Sequence, residues 1–283
     1  MKALGPDPDM KTVILHIGLP KTGSTSLQFL LGENRRKLLR QNADFFLGSL
    51  ARHRFNHSEL YLSVLRDGVT TFAHQKFTFE KEALRTATRG KVRNFVNRSK
   101  AKTLLFSAEG LSFLRTEEEL RHLRELFPES VRFRIFLVER RAEEWLESWR
   151  KQILSKPGRM LSSDTKSTLY VEADTWLTDF ALLKDLYRQQ FQDLTIFSYR
   201  TSGLLLEILA EAGVSVPLDP DGYRYKEVKP GQLARAAPAQ RTLSRLERLW
   251  NEFDYWWRYE RGVKPAETTE HSGRRTQSTS RPQ

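Results

Sequence analysis

Lys21 stands inside the stretch HIGLPKTGSTSLQ, residues 16–28, between Gly18 and Gly23 and ahead of the hydroxyls of Ser24, Thr25 and Ser26. Thr22 adds a further hydroxyl. An ammonium, several hydroxyls and the backbone N–H groups of residues 22–26 at a helix start are the donors that a phosphate or sulfate requires. A Walker A nucleotide loop reads G-x-x-x-x-G-K-[ST], its lysine following the second glycine. Here the glycine spacing is kept, but Ser24 stands where that lysine belongs and Lys21 lies within the loop. A polar turn that caps a helix with its own hydroxyls uses similar residues. The number of donors, placed after an apolar run, favours an anion.

The elements that must position this loop can be read on either side of it. KTVILHIG (11–18) is a short, β-branched apolar run ending in glycine, the pattern of a buried parallel strand. STSLQFLLGENRRKLLRQN (24–42) has apolar residues at helical spacing. KTLLFSAEG (102–110), VRFRIFLVE (131–139) and DLTIFSY (193–199) read as further strands. TEEELRHLRELF (116–127) is a helix with a Thr116/Glu119 capping box and Pro128 beyond its end. RAEEWLESWRKQIL (141–154), with Trp145 and Trp149 turned inward, ADTWLTDFALLKDLYRQQF (173–191) and SGLLLEILAEAGV (202–214) are helices. Residues 43–80 are mixed, with a turn at Asp67-Gly68, and 156–168 form a polar loop. Strands alternating with helices predict an α/β protein: a three-layer, P-loop-like fold with a central, mostly parallel β-sheet flanked by helices.

One domain over 11–262 is expected, ending in a long helical region at 233–262. The tails 1–10 and 263–283 are expected to be flexible and disordered. Forty-seven Lys+Arg against 35 Asp+Glu give a formal charge of +12, which favours anionic partners without distinguishing among them. The absence of cysteine excludes disulfides and thiolate metal sites. There is no apolar run long enough for a membrane span and no apolar signal core, so a cytoplasmic location is expected.

The loop GLPKTGSTSLQ resembles the 5′-phosphosulfate loop of sulfotransferases that use 3′-phosphoadenosine 5′-phosphosulfate (PAPS). Lys21, Thr22, Gly23, Ser24 and Thr25 match that family's Lys-[Ser/Thr]-Gly-[Ser/Thr]-[Ser/Thr] position by position. The resemblance implies a second landmark, an arginine ending a central strand and a serine eight residues later that grip the 3′-phosphate. In FLVERRAEEWLESWRKQ, Arg140 and Ser148 have that separation, whereas Arg141 is one residue short. Tyr199 keeps the position of a nucleotide-contacting tyrosine, while Arg200 and Thr201 depart from the acidic pattern after it. Lys226, Lys229 and Gly231 lie where a basic 3′-phosphate loop is expected.

The resemblance implies sulfuryl transfer from PAPS, without a metal, to a small-molecule or glycan acceptor. The hydroxyl-rich loop is similar to the carbohydrate-type and bacterial branches; the small-molecule branch usually has tryptophan at the position of Ser26. A hydroxyl acceptor needs a base. Glu109, after the 102–108 strand, and His57, in RHRFNHSEL, are the candidates, with a surface histidine as the plainer reading of the latter. His16 reads as a core residue, and Ser107 as a residue that orients substrate. An ATP-dependent P-loop kinase lacks its post-glycine lysine here. A nucleic-acid-binding protein rests on charge alone, and the basic residues are spread rather than clustered. The acceptor and the oligomeric state stay open.

Overall fold

The computed structural model describes residues 10–50, 54–74, 77–155, 160–200, 202–216 and 264–265. Five parallel strands form the central sheet: β1 (Lys11–His16), β2 (Ala43–Phe45), β3 (Thr103–Ser107), β4 (Val131–Glu139) and β5 (Leu194–Ser198). Their spatial order is β2-β3-β1-β4-β5. β1 is therefore central, paired with β3 and β4, and its side chains are covered on both faces. Val13, Leu15 and Ile17 enter one core and Ile14 the other, which is why the strand reads as an unbroken apolar run.

The helices lie on both faces, as the alternation of elements predicts. On one side α1 (Ser24–Glu33), α2 (Arg35–Leu39) and α8 (Leu204–Glu211) bring Leu27, Leu30, Leu38 and Ile208 onto Ile14, Phe136 and Val138. On the other, α4 (Lys81–Arg98), α5 (Glu117–Glu125), α6 (Ala142–Leu154) and α7 (Phe180–Phe191) cover Leu104, Phe106, Ile135 and Leu137. Trp145 and Trp149 of α6 are buried with stacked rings whose centroids are 6.5 Å apart. Truncating either to alanine should cost about 3–5 kcal/mol. Among the described residues, no helix is long and apolar enough to cross a membrane.

Some boundaries differ from expectation. The single helix expected over 24–42 breaks at Asn34, which leaves the helical region (φ −97°, ψ 13°) and donates through its amide to Leu30 O at 3.0 Å. The chain then turns into β2, which is only three residues long and carries no periodicity signal. The mixed region supplies the short helix α3 (Ser58–Leu62) and Glu80, which caps the 18-residue α4. The 173–191 helix splits at Asp179, whose side chain accepts from Leu182 N at 2.9 Å and so starts α7. Lys264–Pro265 pair antiparallel with Phe77–Thr78. The rest of the expected tails, the 233–262 helical region, Thr201 and the basic 224–232 segment lie outside the described residues.

Passing from β3 to β4, the chain crosses β1, so connections leave the carboxyl end of the sheet in opposite directions around that strand. A crevice at that point is where α/β folds bind ligands. Gly18–Gly23, Glu109, Arg140 and Tyr199 all follow carboxyl ends of these strands.

Candidate functional site: an anion loop at the carboxyl end of the sheet

The loop begins as a continuation of β1. Ile17 N and Leu19 N still donate to Phe136 O and Val138 O, at 2.9 and 3.2 Å. The chain then tightens: the buried Thr22 donates through Oγ1 to Leu19 O at 2.6 Å. The indole of Trp145 donates to Pro20 O at 2.8 Å, pinning the loop to α6. Lys21 and Gly23 both adopt left-handed backbone, with φ of 69° and 88°. For lysine that conformation costs on the order of 1–3 kcal/mol and persists only when neighbours hold it. Alternation of left- and right-handed residues turns successive N–H groups toward one concavity.

α1 starts directly on this loop, and it starts unfinished. Its N-cap is Gly23; no side chain caps it, and no acidic residue occupies its first turn. The hydroxyl of Ser24 is buried and has no hydrogen-bond partner among the described residues. A buried, unpaired hydroxyl costs about 1–3 kcal/mol unless a partner from outside the chain meets it. Thr25 and Ser26 beside it are half-buried. The loop residues thus fit an anionic group such as the 5′ end of PAPS.

α6 ties the loop to the second landmark. Residues Glu144, Ser148 and Gln152 lie one helical turn apart on one stripe. Gln152 Oε1 accepts from Lys21 Nζ at 3.4 Å, and Glu144 holds Arg140 at 3.5 Å. Ser148 sits midway, about 6 Å along the axis from each end of a stripe roughly 12 Å long. Arg140 also lies over the ring of Tyr199, guanidinium carbon to centroid 4.8 Å. Tyr199 is placed by its own N–H, which donates to Glu139 O at 2.7 Å. Arg140 and Tyr199, singled out separately in the sequence, thus meet across adjacent strand ends. The Arg140 side chain is 22% exposed and Arg141 79% exposed, so Arg140 is the one turned into this cluster. Arg200 is bound to Glu207 on α8.

The two candidate bases sit in different surroundings. Glu109 is half-buried and opens a single 3₁₀ turn, Glu109–Phe113, immediately past β3. Its neighbour Gly110 lies flat on the Tyr61 ring, where a Cβ would come within 2.2 Å of the ring, so only glycine fits. Burial raises the Tyr61 phenol, and the nearby Glu109 carboxylate adds to the rise.

His57 is not a surface residue. It is fully enclosed at the start of α3, its ring 5.0 Å from those of Phe45 and Phe46 and 5.9 Å from that of Phe106. Its Nδ1 accepts from Ser107 N at 3.0 Å, and burial drives its pKa down to about 3. The structure does not bring His57 to the loop mouth; it packs beneath the β2–β3 edge. His16 is buried as expected, but it is hydrogen-bonded to Ser107 rather than packed among apolar groups.

Gln28, Gln152 and the anchoring indole of Trp145 belong to the loop's surroundings and escaped the sequence reading. Gln28 and Gln152 lie one turn beyond Ser24 and Ser148, a spacing that marks a shared helix face. Among the described residues, no group of three or more histidine, aspartate or glutamate side chains gathers to hold a metal ion.

No family model matches the chain, and no curated protein matches it. Solved structures with a similar fold include a sulfotransferase from Alicyclobacillus acidocaldarius, 12% identical with a TM-score of 0.46, covering 78% of this chain and 88% of that one. A tunicamycin resistance protein from Deinococcus radiodurans is 15% identical with a TM-score of 0.38, covering 74% of this chain and 99% of that one.

Proposed function

We propose that this protein is a PAPS-dependent sulfotransferase acting on a hydroxyl or amine acceptor, with a carbohydrate or glycolipid as the acceptor class. The observation that carries the proposal is the start of α1, uncapped and holding the buried, unpaired Ser24 hydroxyl within the Lys21–Thr25 loop. The acceptor class rests on the hydroxyl-rich loop, which resembles the carbohydrate-type branch.

PAPS, when bound, supplies an activated sulfuryl group. Ser24, Thr25, Ser26 and the N–H groups around Gly23, that of Thr22 included, would hold its 5′ side, while the Thr22 hydroxyl closes the loop on Leu19 O. Arg140 and Ser148 would hold the 3′-phosphate, a guanidinium being suited to bidentate recognition of phosphate oxygens. Tyr199, already stacked with Arg140, would border the nucleotide. Lys21 places a cation at the loop, where negative charge develops on the departing side; such preorganised charge is the largest single contribution in group transfer of this kind. Glu109, past β3, takes the acceptor's proton. His57 has no proton-transfer role here, because it is enclosed and held neutral.

Incubation with PAPS and a panel of mono- and oligosaccharide acceptors, with release of 3′-phosphoadenosine 5′-phosphate as the readout, tests the proposal. Acceptor-dependent release that disappears in Lys21→Ala is expected. Phosphoryl transfer from ATP with magnesium by the same protein, and none from PAPS, would instead make it a kinase.

A further inference from the structure

Ser107 faces His16 across the β1–β3 pair and is the hub of a buried polar cluster that the proposed reaction does not use. The Gln28 side chain from α1 lies 3.5 Å from Ser107 O and 3.2 Å from Ser107 Oγ. A main-chain carbonyl only accepts, so the group facing it is the amide NH₂, which donates to both oxygens. With Gln28 donating to the Ser107 hydroxyl, that hydroxyl's own hydrogen is left for His16 Nδ1, 2.8 Å away. Nδ1 then accepts, and in a neutral imidazole the remaining hydrogen resides on Nε2. Burial, which drives the His16 pKa down to about 4, keeps the ring neutral.

Nε2 abuts the loop. A Cβ on residue 18 would lie 2.9 Å from His16 Nε2 and 3.0 Å from Thr22 Oγ1. Gly18 thus leaves a small recess bordered by the imidazole N–H and by the hydroxyl that closes the loop. No larger residue leaves that recess open.

We propose that His16 is a positioning residue of the anion loop. Locked as the Nε2–H tautomer by Ser107 and Gln28, it holds a neutral donor beneath Gly18 and Thr22. That donor lies against the turn that presents Lys21 and Ser24. The chain Gln28–Ser107–His16 links α1, β3 and β1, so the helix start and the loop's first turn are set together. The role borrows from the sulfotransferase reading only the identity of the anion.

Imidazole ¹⁵N–¹H NMR on the ligand-free full chain tests the lock without any ligand. At neutral pH His16 is expected with Nδ1 bare and Nε2 protonated, and Ser107→Ala should redistribute the hydrogen between the two nitrogens. A His16 protonated on Nδ1 in the parent, or a tautomer indifferent to Ser107→Ala, overturns the proposal.

Calorimetry with 3′-phosphoadenosine 5′-phosphate then tests the donor. His16→Gln keeps an amide N–H near the place of Nε2, whereas His16→Asn keeps one only near Nδ1. Affinity should stay near the parent's in the first and fall about tenfold in the second, the loss expected when a buried donor beneath the loop is removed. Equal affinities in the two variants would contradict it. If the parent does not bind this ligand, the PAPS reading fails, and the tautomer measurement still decides the role of His16.

Discussion

Two helix starts in this molecule carry similar residues and end up opposite in character. At α5, Thr116 accepts from Glu119 N at 3.2 Å while Glu119 accepts from Thr116 N at 3.0 Å. Glu119 also takes the backbone N–H groups of Arg66 and Arg115, each at 2.7 Å. Three acidic residues fill that first turn and complement the helix dipole. At α1, four hydroxyl residues surround Gly23, yet none caps the helix, no acid is present and one hydroxyl is buried without a partner. The first start is completed by its own side chains. The second has no such completion among the described residues. Composition separates them in part, since acids fill one first turn and are absent from the other, and the capping side chains complete the difference.

The largest predicted break in this contrast is Lys21→Ala, which should lower turnover by about 10²–10³, the cost of removing one group that stabilises developing charge. Its thermal midpoint should stay close to the parent's, because alanine carries the same Cβ into the same left-handed backbone. Arg140→Ala should weaken binding of 3′-phosphoadenosine 5′-phosphate by roughly 10–100-fold, as expected for charged hydrogen bonds, while binding of AMP changes little. Equal loss for both nucleotides would remove Arg140 from the 3′-phosphate.

Acid should distinguish the polar cluster beneath α1. His16 and His57 are held neutral by burial, with pKa values lowered to about 4 and about 3. Unfolding lets each take up a proton near the ordinary 6.5, so stability is full above that pH and falls below it. The slope is about 1.4 kcal/mol per pH unit for each histidine down toward its folded value. Burial pushes Glu59 the other way, above its ordinary 4.5, so its contribution is lost as pH rises from there. One such carboxyl against two histidines leaves a net loss toward acid. Midpoints of urea unfolding recorded from pH 7.5 to 5 should decline, and His57→Phe should flatten the curve.

The smallest effects are the most diagnostic. Thr116→Ala should cost about 1 kcal/mol of stability, the usual worth of an N-cap, and leave ligand affinity alone. Ser24→Ala should do the reverse: little or no loss of ligand-free stability, with affinity for the bisphosphate reduced several-fold, on the order of 1 kcal/mol. If Ser24→Ala destabilises the empty protein as Thr116→Ala does, the α1 start is an ordinary capped helix and the contrast collapses.

Much of this arrangement was legible in the residues. The runs at 11–18, 102–110, 131–139 and 193–199 became β1, β3, β4 and β5, because strands covered on both faces must be apolar throughout. The capping box at Thr116 was readable because its partners are three residues apart. β2 was not, since three residues carry no period. Lys21 stands out by its type and its place in the loop, while Arg140, Ser148 and Tyr199 are singled out through the family resemblance. The contact of Arg140 with Tyr199 is not legible in the residues, because it depends on the strand order. His57, in sequence a candidate base or a surface histidine, is instead fully enclosed. Its basic neighbours in sequence suggest solvent, whereas Phe45 of β2, Phe46 just past it and Phe106 of β3 close over it.

The most direct measurement is thermal unfolding of the full chain with 3′-phosphoadenosine 5′-phosphate, with AMP and with ATP plus magnesium. A site that grips both phosphates predicts stabilisation by the bisphosphate of about 2.7 kcal/mol at 100 times its Kd, and little from AMP at the same concentration. A shift with ATP and magnesium alone, or equal shifts with the bisphosphate and AMP, would contradict the account.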